Sequence, residues 1–444
     1  TAEITPPFSF VLSWLTSRLG NSPELIRLPA LVAGIATVPL VYKLGLRTVG
    51  RRGAVLAAAL TALSPFMILY SAEARGYGVL MALLVVSTLT LLLAVDEPRR
   101  LWWVVYAACA CLAMYTHYTS IFVLFGQVVW AWTRHPEARR PLVLANVAAV
   151  VLYLPWLPSL RGDLDSPTTA ILSAFSPLSV DMVRVTLGHW SVGFPYAFPT
   201  TTLNDLPGLI PLLMLLVAVA LGARGAIAGE RPGDDRRSVL VAILAAATPI
   251  GTFVQSVVST NVFSVRSLGA SWPYLALITA WLIVSSGRRV WAISAALAVG
   301  AFAVGAVTML GATYDRPAYG PIADFADEHD AAVIVDGLAF PPGPLTNLNV
   351  EETRPRAPLL RLSVPAQLDR PFGILDTVEA PEVVFERAAA MADGGPIVVT
   401  SLVSYEKEID DLIATLPEGY EVTDEIRTDA LWLHDLRAVL LERS

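Results

Sequence analysis

The stretch Ser64-Pro-Phe-Met-Ile-Leu-Tyr-Ser-Ala-Glu-Ala-Arg-Gly-Tyr-Gly78 decides how this chain is read. One apolar run (Arg52 to Tyr70) leads into it and another (Tyr77 to Val95) leads out. Glu73 and Arg75 therefore stand at a membrane boundary, where a charge is costly unless it is paired or hydrated. A short turn carrying Glu, Arg and Tyr, with no linker around it, is a candidate site as well as a boundary.

Composition supports this reading. Of 444 residues, 55% are hydrophobic and 16% charged, with a mean hydropathy of +0.59. A soluble chain carries roughly a quarter charged residues, so this is a polytopic membrane protein. The charge is unevenly spread: residues 1–312 balance at +8 and residues 313–444 at −15, giving the net −7. The first part reads as a multi-span membrane domain and the second as an acidic α/β domain. An acidic tail excludes nucleic acid as a partner, since that needs a basic surface. Cys109 and Cys111 lie two apart in an apolar run and read as small apolar residues. The Ala-, Val- and Arg-rich composition, with only two lysines, is that of a high-GC bacterium.

The expected fold is mostly α, a polytopic helical bundle of about ten spans. They lie near 25–48, 52–70, 76–95, 101–116, 118–133, 141–158, 208–224, 238–258, 270–286 and 290–312. The shorter run Ile4 to Leu19, interrupted by Pro6 and Pro7, suits the membrane interface. Alternate loops hold fourteen arginines against six, from Arg47, Arg51 and Arg52 on one side to Arg75, Arg184 and Arg266 on the other. The positive-inside rule puts the richer set in the cytoplasm. The Glu73 turn, the His117 turn, the loop 159–207, the Arg266 loop and the tail then lie outside the cytoplasmic membrane. In the tail, 331–336 and 396–401 read as buried strands and 420–427 with 436–443 as a strand pair. Helical periodicity covers 381–392 and 405–416, and 341–371 reads as loop.

The outward turns collect carboxylates, a histidine, aromatics and arginines. They include Glu3-Ile-Thr-Pro-Pro7, Ser71 to Tyr77, Tyr115-Thr-His-Tyr-Thr119 and Asn261 to Ser267. The long loop adds Asp163, Asp165, Asp181, Arg184, His189, Trp190 and Tyr196. A carboxylate can act as a general base toward a hydroxyl, and arginine can hold a phosphate and stabilise it as a leaving group. Taken singly, each residue has a plainer reading. Glu73 and Arg75 could staple their turn, His117 could be structural, Arg266 could snorkel to the interface, Glu3 could be an inert charge, and the loop aspartates could be solvated. Their shared sidedness is the stronger signal.

In this order the motifs resemble the GT-C superfamily of integral-membrane glycosyltransferases, nearest to protein O-mannosyltransferases and aminoarabinose transferases of lipid A. The matching stretches are Glu3-Ile-Thr-Pro-Pro-Phe8, Arg27-Leu-Pro-Ala30, Leu63-Ser-Pro-Phe66, Tyr70 to Tyr77, Tyr115-Thr-His-Tyr118 and Phe263-Ser-Val-Arg-Ser-Leu268 with Pro273. The resemblance covers about residues 1–286. It implies a polyprenyl-phosphate sugar donor, attacked with inversion by the hydroxyl of a glycan, lipid or protein acceptor, at the outer face of the bilayer. It assigns the donor phosphate to Arg266, candidate catalytic roles to Glu73, Arg75 and Glu3, and the cavity wall to Tyr77, His117 and Tyr118. The family's main catalytic Asp follows a first span, and Thr1-Ala-Glu-Ile-Thr-Pro-Pro7 reads as the middle of something longer, so that Asp is expected before Thr1. Some relatives use a divalent metal (Mg or Mn); no ligand for one is assigned here, and no other cofactor is implied. The family's Arg-Tyr-Leu is Arg266-Ser-Leu268 here, which loses an aromatic beside the phosphate. A carrier or flippase of a lipid-linked sugar, and a non-catalytic relative that binds through the tail, are the rival readings.

Overall fold

The computed structural model describes residues 5–20, 22–164, 178–193, 206–227, 235–286, 290–310, 319–336, 355–361, 381–402, 410, 413–414, 419–428 and 436–443. Glu3, Asp165 and Tyr196 lie outside these, as does most of the expected helix 405–416. The chain divides into two compact units, Thr1–Val307 and Thr308–Ser444.

The first unit is helical. Its helices are α1 (Phe8–Ser17), α2 (Pro23–Thr48), α3 (Gly50–Leu63), α4 (Pro65–Ala72), α5 (Tyr77–Asp96), α6 (Arg100–Met114), α7 (Ser120–Arg134), α8 (Arg139–Tyr153), α9 (Leu157–Leu164), α10 (Val180–Val192), α11 (Leu206–Ile227), α12 (Asp235–Val258), α13 (Trp272–Val284) and α14 (Trp291–Met309). Each of the ten apolar runs coincides with helix. Among the described residues, however, six helical segments are long and apolar enough to cross a membrane, or seven if the bent pair α3–α4 counts as one. The count falls short of ten because α6 and α7 have 15 residues each, which makes about 23 Å of helix against a hydrocarbon core of about 30 Å, and because the apolar stretch counted in α11 runs only over Leu212–Gly225.

The α3–α4 bend of 54° follows from the sequence. Ser64 precedes a proline and is driven to extended backbone (φ −68°, ψ 121°). Pro65 then opens α4, and the Ser64 hydroxyl accepts the Met67 amide at 3.2 Å as its N-cap. Phe66, Met67 and Tyr70 are thereby turned into the core. The Arg27-to-Ala30 motif lies where α2 meets α5. A Cβ on Gly78 would stand 2.6 Å from the Ala30 carbonyl oxygen, so only glycine lets these helices come this close. Apolar side chains on the outer faces of α1 and α8, among them Trp14, Leu15, Leu144 and Val150, remain exposed as lipid-facing groups do.

The two ends of the bundle differ. At one end Arg47 and Arg237 share the carboxylate of Asp96, at 2.9 and 2.5 Å. In the interior, Gln127 donates to Ser87 and Thr88, both at 2.8 Å, and the Thr88 and Tyr274 hydroxyls meet at 2.6 Å. This polar group is fully enclosed and staples α5, α7 and α13.

The second unit is a five-stranded sheet in the order β2-β1-β3-β5-β4. The strands are β1 (Val333–Asp336), β2 (Leu359–Arg361), β3 (Ile397–Leu402), β4 (Tyr420–Thr428) and β5 (Leu436–Arg443), with helices α15 (Tyr319–Glu328) and α16 (Pro381–Ala392). β1 runs parallel to β2 and β3, while β5 runs antiparallel to β3 and β4. Alternation sends Val333, Val335 and Val399 to one face with Phe385 of α16, and Ile334 and Val398 to the other with Phe325 of α15. β2 falls inside the stretch expected to be loop. Three residues flanked by prolines and arginines carry no period of their own, and only pairing with β1 makes them a strand.

Candidate functional site

α4 ends at Ala72, Glu73 is extended (φ −78°, ψ 138°), and α5 begins at Tyr77, so the charged turn is four residues long. Glu73 is half-buried with its Oε2 enclosed, and Arg75 is exposed. Gly76 lets the turn lie flat on its neighbours. A Cβ there would stand 2.7 Å from the Thr116 methyl and 3.0 Å from the Ser9 Cβ. The Phe8 amide donates to the Tyr115 carbonyl at 2.9 Å, which joins the start of α1 to the same place. Three segments distant in sequence are thus packed together at one end of the bundle.

Arg266 comes to this place from a fourth segment. Ser264 and Ser267 exchange a hydroxyl hydrogen bond at 2.9 Å and turn the chain into a 3-10 helix, Arg266–Ser271, that runs into α13. Arg266 lies beside the Tyr77 hydroxyl and within electrostatic reach of Tyr70 and Glu73. Protein surrounds it, yet much of its surface stays accessible.

His117 completes the group. Its Nδ1 lies 2.9 Å from the Thr119 hydroxyl and accepts the Thr119 amide at 3.3 Å, so the proton of the neutral ring sits on Nε2. Desolvation by the surrounding protein, and then the charges of Arg266 and Arg75, push its pKa down to about 4. At neutral pH His117 is an uncharged N–H donor. A row of rings backs the site: Trp272 stacks on Phe66 (5.9 Å, 8°), Phe66 meets Tyr70 (4.6 Å), Tyr70 meets Tyr77 (5.1 Å) and Tyr77 meets His117 (5.5 Å).

The fold therefore brings Glu73, Arg75, Tyr77, His117 and Arg266 together. Tyr118, expected on the same wall, has its hydroxyl 3.1 Å from the Trp156 indole nitrogen, which donates to it. His189 and Trp190, named from the long loop, are buried on α10, which packs against α4 and the 3-10 helix. Trp272 was not singled out in the sequence, and Phe66 and Tyr70 entered only as ends of matching stretches, with no role assigned. As aromatics in apolar runs, they are indistinguishable there from ordinary core.

Among the described residues no three of His, Cys, Asp and Glu converge as metal ligands. Glu73 also lies within electrostatic reach of the Arg266 charge.

A bent span thus feeds a charged turn, an arginine is brought onto it from the head of a later helix, and the fold as a whole is shared with solved structures. The family model described as dolichyl-phosphate-mannose-protein mannosyltransferase matches residues 5–158. The structure is similar to that of ArnT from Cupriavidus metallidurans in the apo state, with a TM-score of 0.56 at 13% identity, over 98% of this chain and 87% of that one. The same protein bound to undecaprenyl phosphate matches at 0.55 and 13%, with the same coverage. No protein of curated function matches by sequence.

Proposed function

We propose that the chain transfers a sugar from a polyprenyl-phosphate donor to an acceptor hydroxyl at the outer face of a bacterial cytoplasmic membrane, with inversion at the sugar carbon. The observation that carries this reading is the meeting of Arg266, Arg75, Tyr77, His117 and Glu73 at one end of the bundle. As the bond from the sugar carbon to the phosphate oxygen breaks, a phosphodiester monoanion becomes a monoester that carries a second charge. Two arginines beside the leaving oxygen stabilise that charge where it develops. The neutral His117 adds a hydrogen bond without adding repulsion. Glu73 offsets part of the cationic charge and holds Arg266 against Tyr77. The acceptor oxygen bonds to the sugar carbon from the opposite face, and its proton leaves to a carboxylate base.

The undecaprenyl phosphate bound by the ArnT relative supports a polyprenyl donor. The arginine bias supports an extracytoplasmic site and an extracytoplasmic second unit. The acceptor belongs to the cell envelope, as a glycan, lipid or protein hydroxyl, and mannose and arabinose donors are both consistent with the family. A carrier of the lipid-linked sugar is the second reading, favoured by the broken span α3–α4. The interior polar group weighs against it, because Gln127, Thr88 and Tyr274 are buried and spend their polar groups on a chain of mutual hydrogen bonds.

The test uses membranes carrying the full-length protein and a labelled polyprenyl-phosphate sugar. Label moves to an acceptor with the wild type and is lost with the Arg266→Ala, Glu73→Gln double variant. Undiminished transfer by that variant refutes the site, while translocation of the donor without transfer favours the carrier.

A further inference from the structure

Six residues of 3-10 helix are unusual, because the tight winding strains hydrogen bonds and runs beyond three or four residues rarely persist unaided. The Ser264–Ser267 hydroxyl pair starts the segment, but nothing local carries 3-10 winding on to Ser271, and α-helical α13 follows directly. What holds it lies on α12, immediately before Pro249. The Ser271 hydroxyl sits between the Leu244 carbonyl and the Thr248 amide, the two groups that close one α-helical turn. It donates to the first at 2.6 Å and accepts from the second at 3.0 Å. One residue pair over, the Thr248 hydroxyl donates to the Leu268 carbonyl at 3.0 Å. Thr248, Leu268 and Ser271 are all fully buried. The two hydroxyls form a reciprocal latch between the proline-weakened turn of α12 and the 3-10 segment.

The latch controls where Arg266 points. A 3-10 helix turns about 120° per residue and an α-helix about 100°, so over the five steps from Ser271 back to Arg266 the difference is about 100° of rotation. The rise differs by about 2.5 Å over the same steps. Relaxed into an extension of α13, the segment would swing the guanidinium away from Tyr77 and Glu73. We propose that Ser271 and Thr248 are positioning residues for the donor phosphate: they hold 266–271 in 3-10 winding and so aim Arg266 into the site. This rests on the reading of Arg266 as the phosphate ligand, and the experiment keeps the two claims separable.

Full-length protein in nanodiscs is titrated with undecaprenyl phosphate. Arg266→Ala, Ser271→Ala, the isosteric Thr248→Val and the hydroxyl-retaining Thr248→Ser are compared. Affinity falls about tenfold in Ser271→Ala and Thr248→Val, recovers in Thr248→Ser, and does not fall further when Ser271→Ala is added to Arg266→Ala. Hydrogen exchange of the 266–272 amides rises in the two latch variants. If Arg266→Ala weakens binding but the latch variants do not, positioning is refuted. If Arg266→Ala binds as the wild type does, the phosphate reading falls with it, and unchanged exchange over 266–272 separately refutes the latch. A merely structural role would lower thermal stability in Ser271→Ala with affinity intact, which also overturns the proposal.

Discussion

The rings of Tyr77 and His117 lie 5.5 Å apart, centroid to centroid, at an interplanar angle of 46°. This contact joins the head of α5 to the turn between α6 and α7. It fixes an uncharged N–H donor beside a hydroxyl that Arg266 also approaches. The cationic charge of the site thus comes from arginine alone, and histidine shapes the wall.

Arg266 is expected to be irreplaceable by lysine. An ammonium can reach a phosphate but cannot present two parallel donors to it while also staying beside Tyr77. Arg266→Lys should lose at least tenfold, and Arg266→Ala at least a hundredfold, in affinity for undecaprenyl phosphate, measured by titration in nanodiscs.

Acid should destabilise the first unit through its buried histidines. His117 and His189 have folded pKa values near 4, against about 6.5 when unfolded, because burial disfavours the charged ring. Between those values the unfolded state binds more protons, so stability is full above pH 6.5 and falls as pH drops toward 4. The slope is at most about 1.4 kcal/mol per pH unit for each histidine. Apparent melting temperatures between pH 4 and 7 should follow this, and His117→Asn should flatten the curve. Equal slopes in wild type and variant would contradict it.

Gly76→Ala should push the Glu73–Tyr77 turn off Thr116 and Ser9. Overpacking of this kind costs about 1–3 kcal/mol. Because the turn carries three of the site residues, transfer activity should fall more than thermal stability does. A loss of stability alone, with kcat and KM unchanged, would show that the turn relaxes without moving its side chains.

Asp96→Asn separates the two ends of the bundle. Asp96 lies at the far end of α5 from Tyr77, about 29 Å along the helix. The substitution leaves Arg47 and Arg237 facing each other at partly exposed positions, at a cost of about 1 kcal/mol. Melting should fall slightly while transfer stays within twofold of wild type.

Helical character was legible because apolar runs announce helices wherever they occur, and the α3–α4 break was written in Ser64-Pro65. The number of full-length crossings was not, since α6 and α7 look like spans in composition and are short only once their caps are placed. Glu73, Arg75, Tyr77, His117 and Arg266 stood out as polar groups at apolar boundaries, and the fold does gather them. The partners that orient them did not stand out. Ser271 and Thr248 are unremarkable residues in apolar helices, and their meaning arises from a contact across 23 positions. Pro249 was the one local hint, marking a turn of α12 whose backbone groups need outside partners. Tyr118 has a partner that sequence could not supply either: it stands beside His117 in the chain, and its hydrogen bond from Trp156 spans 38 positions.

The outer strands of the second unit bear on how this protein behaves in a crowded membrane. Among the described residues the sheet ends in β2, which is three residues long, and in β4, which is interrupted by a bulge between Val422 and Asp424 and carries Glu421, Asp424, Glu425 and Arg427. An open strand edge is a template for a neighbour's strand, and short length, bulges and charge are what deny it. Anchored domains meet at far higher effective concentration than free ones. Both edges of this sheet are built so that such meetings end in separation rather than fibril growth.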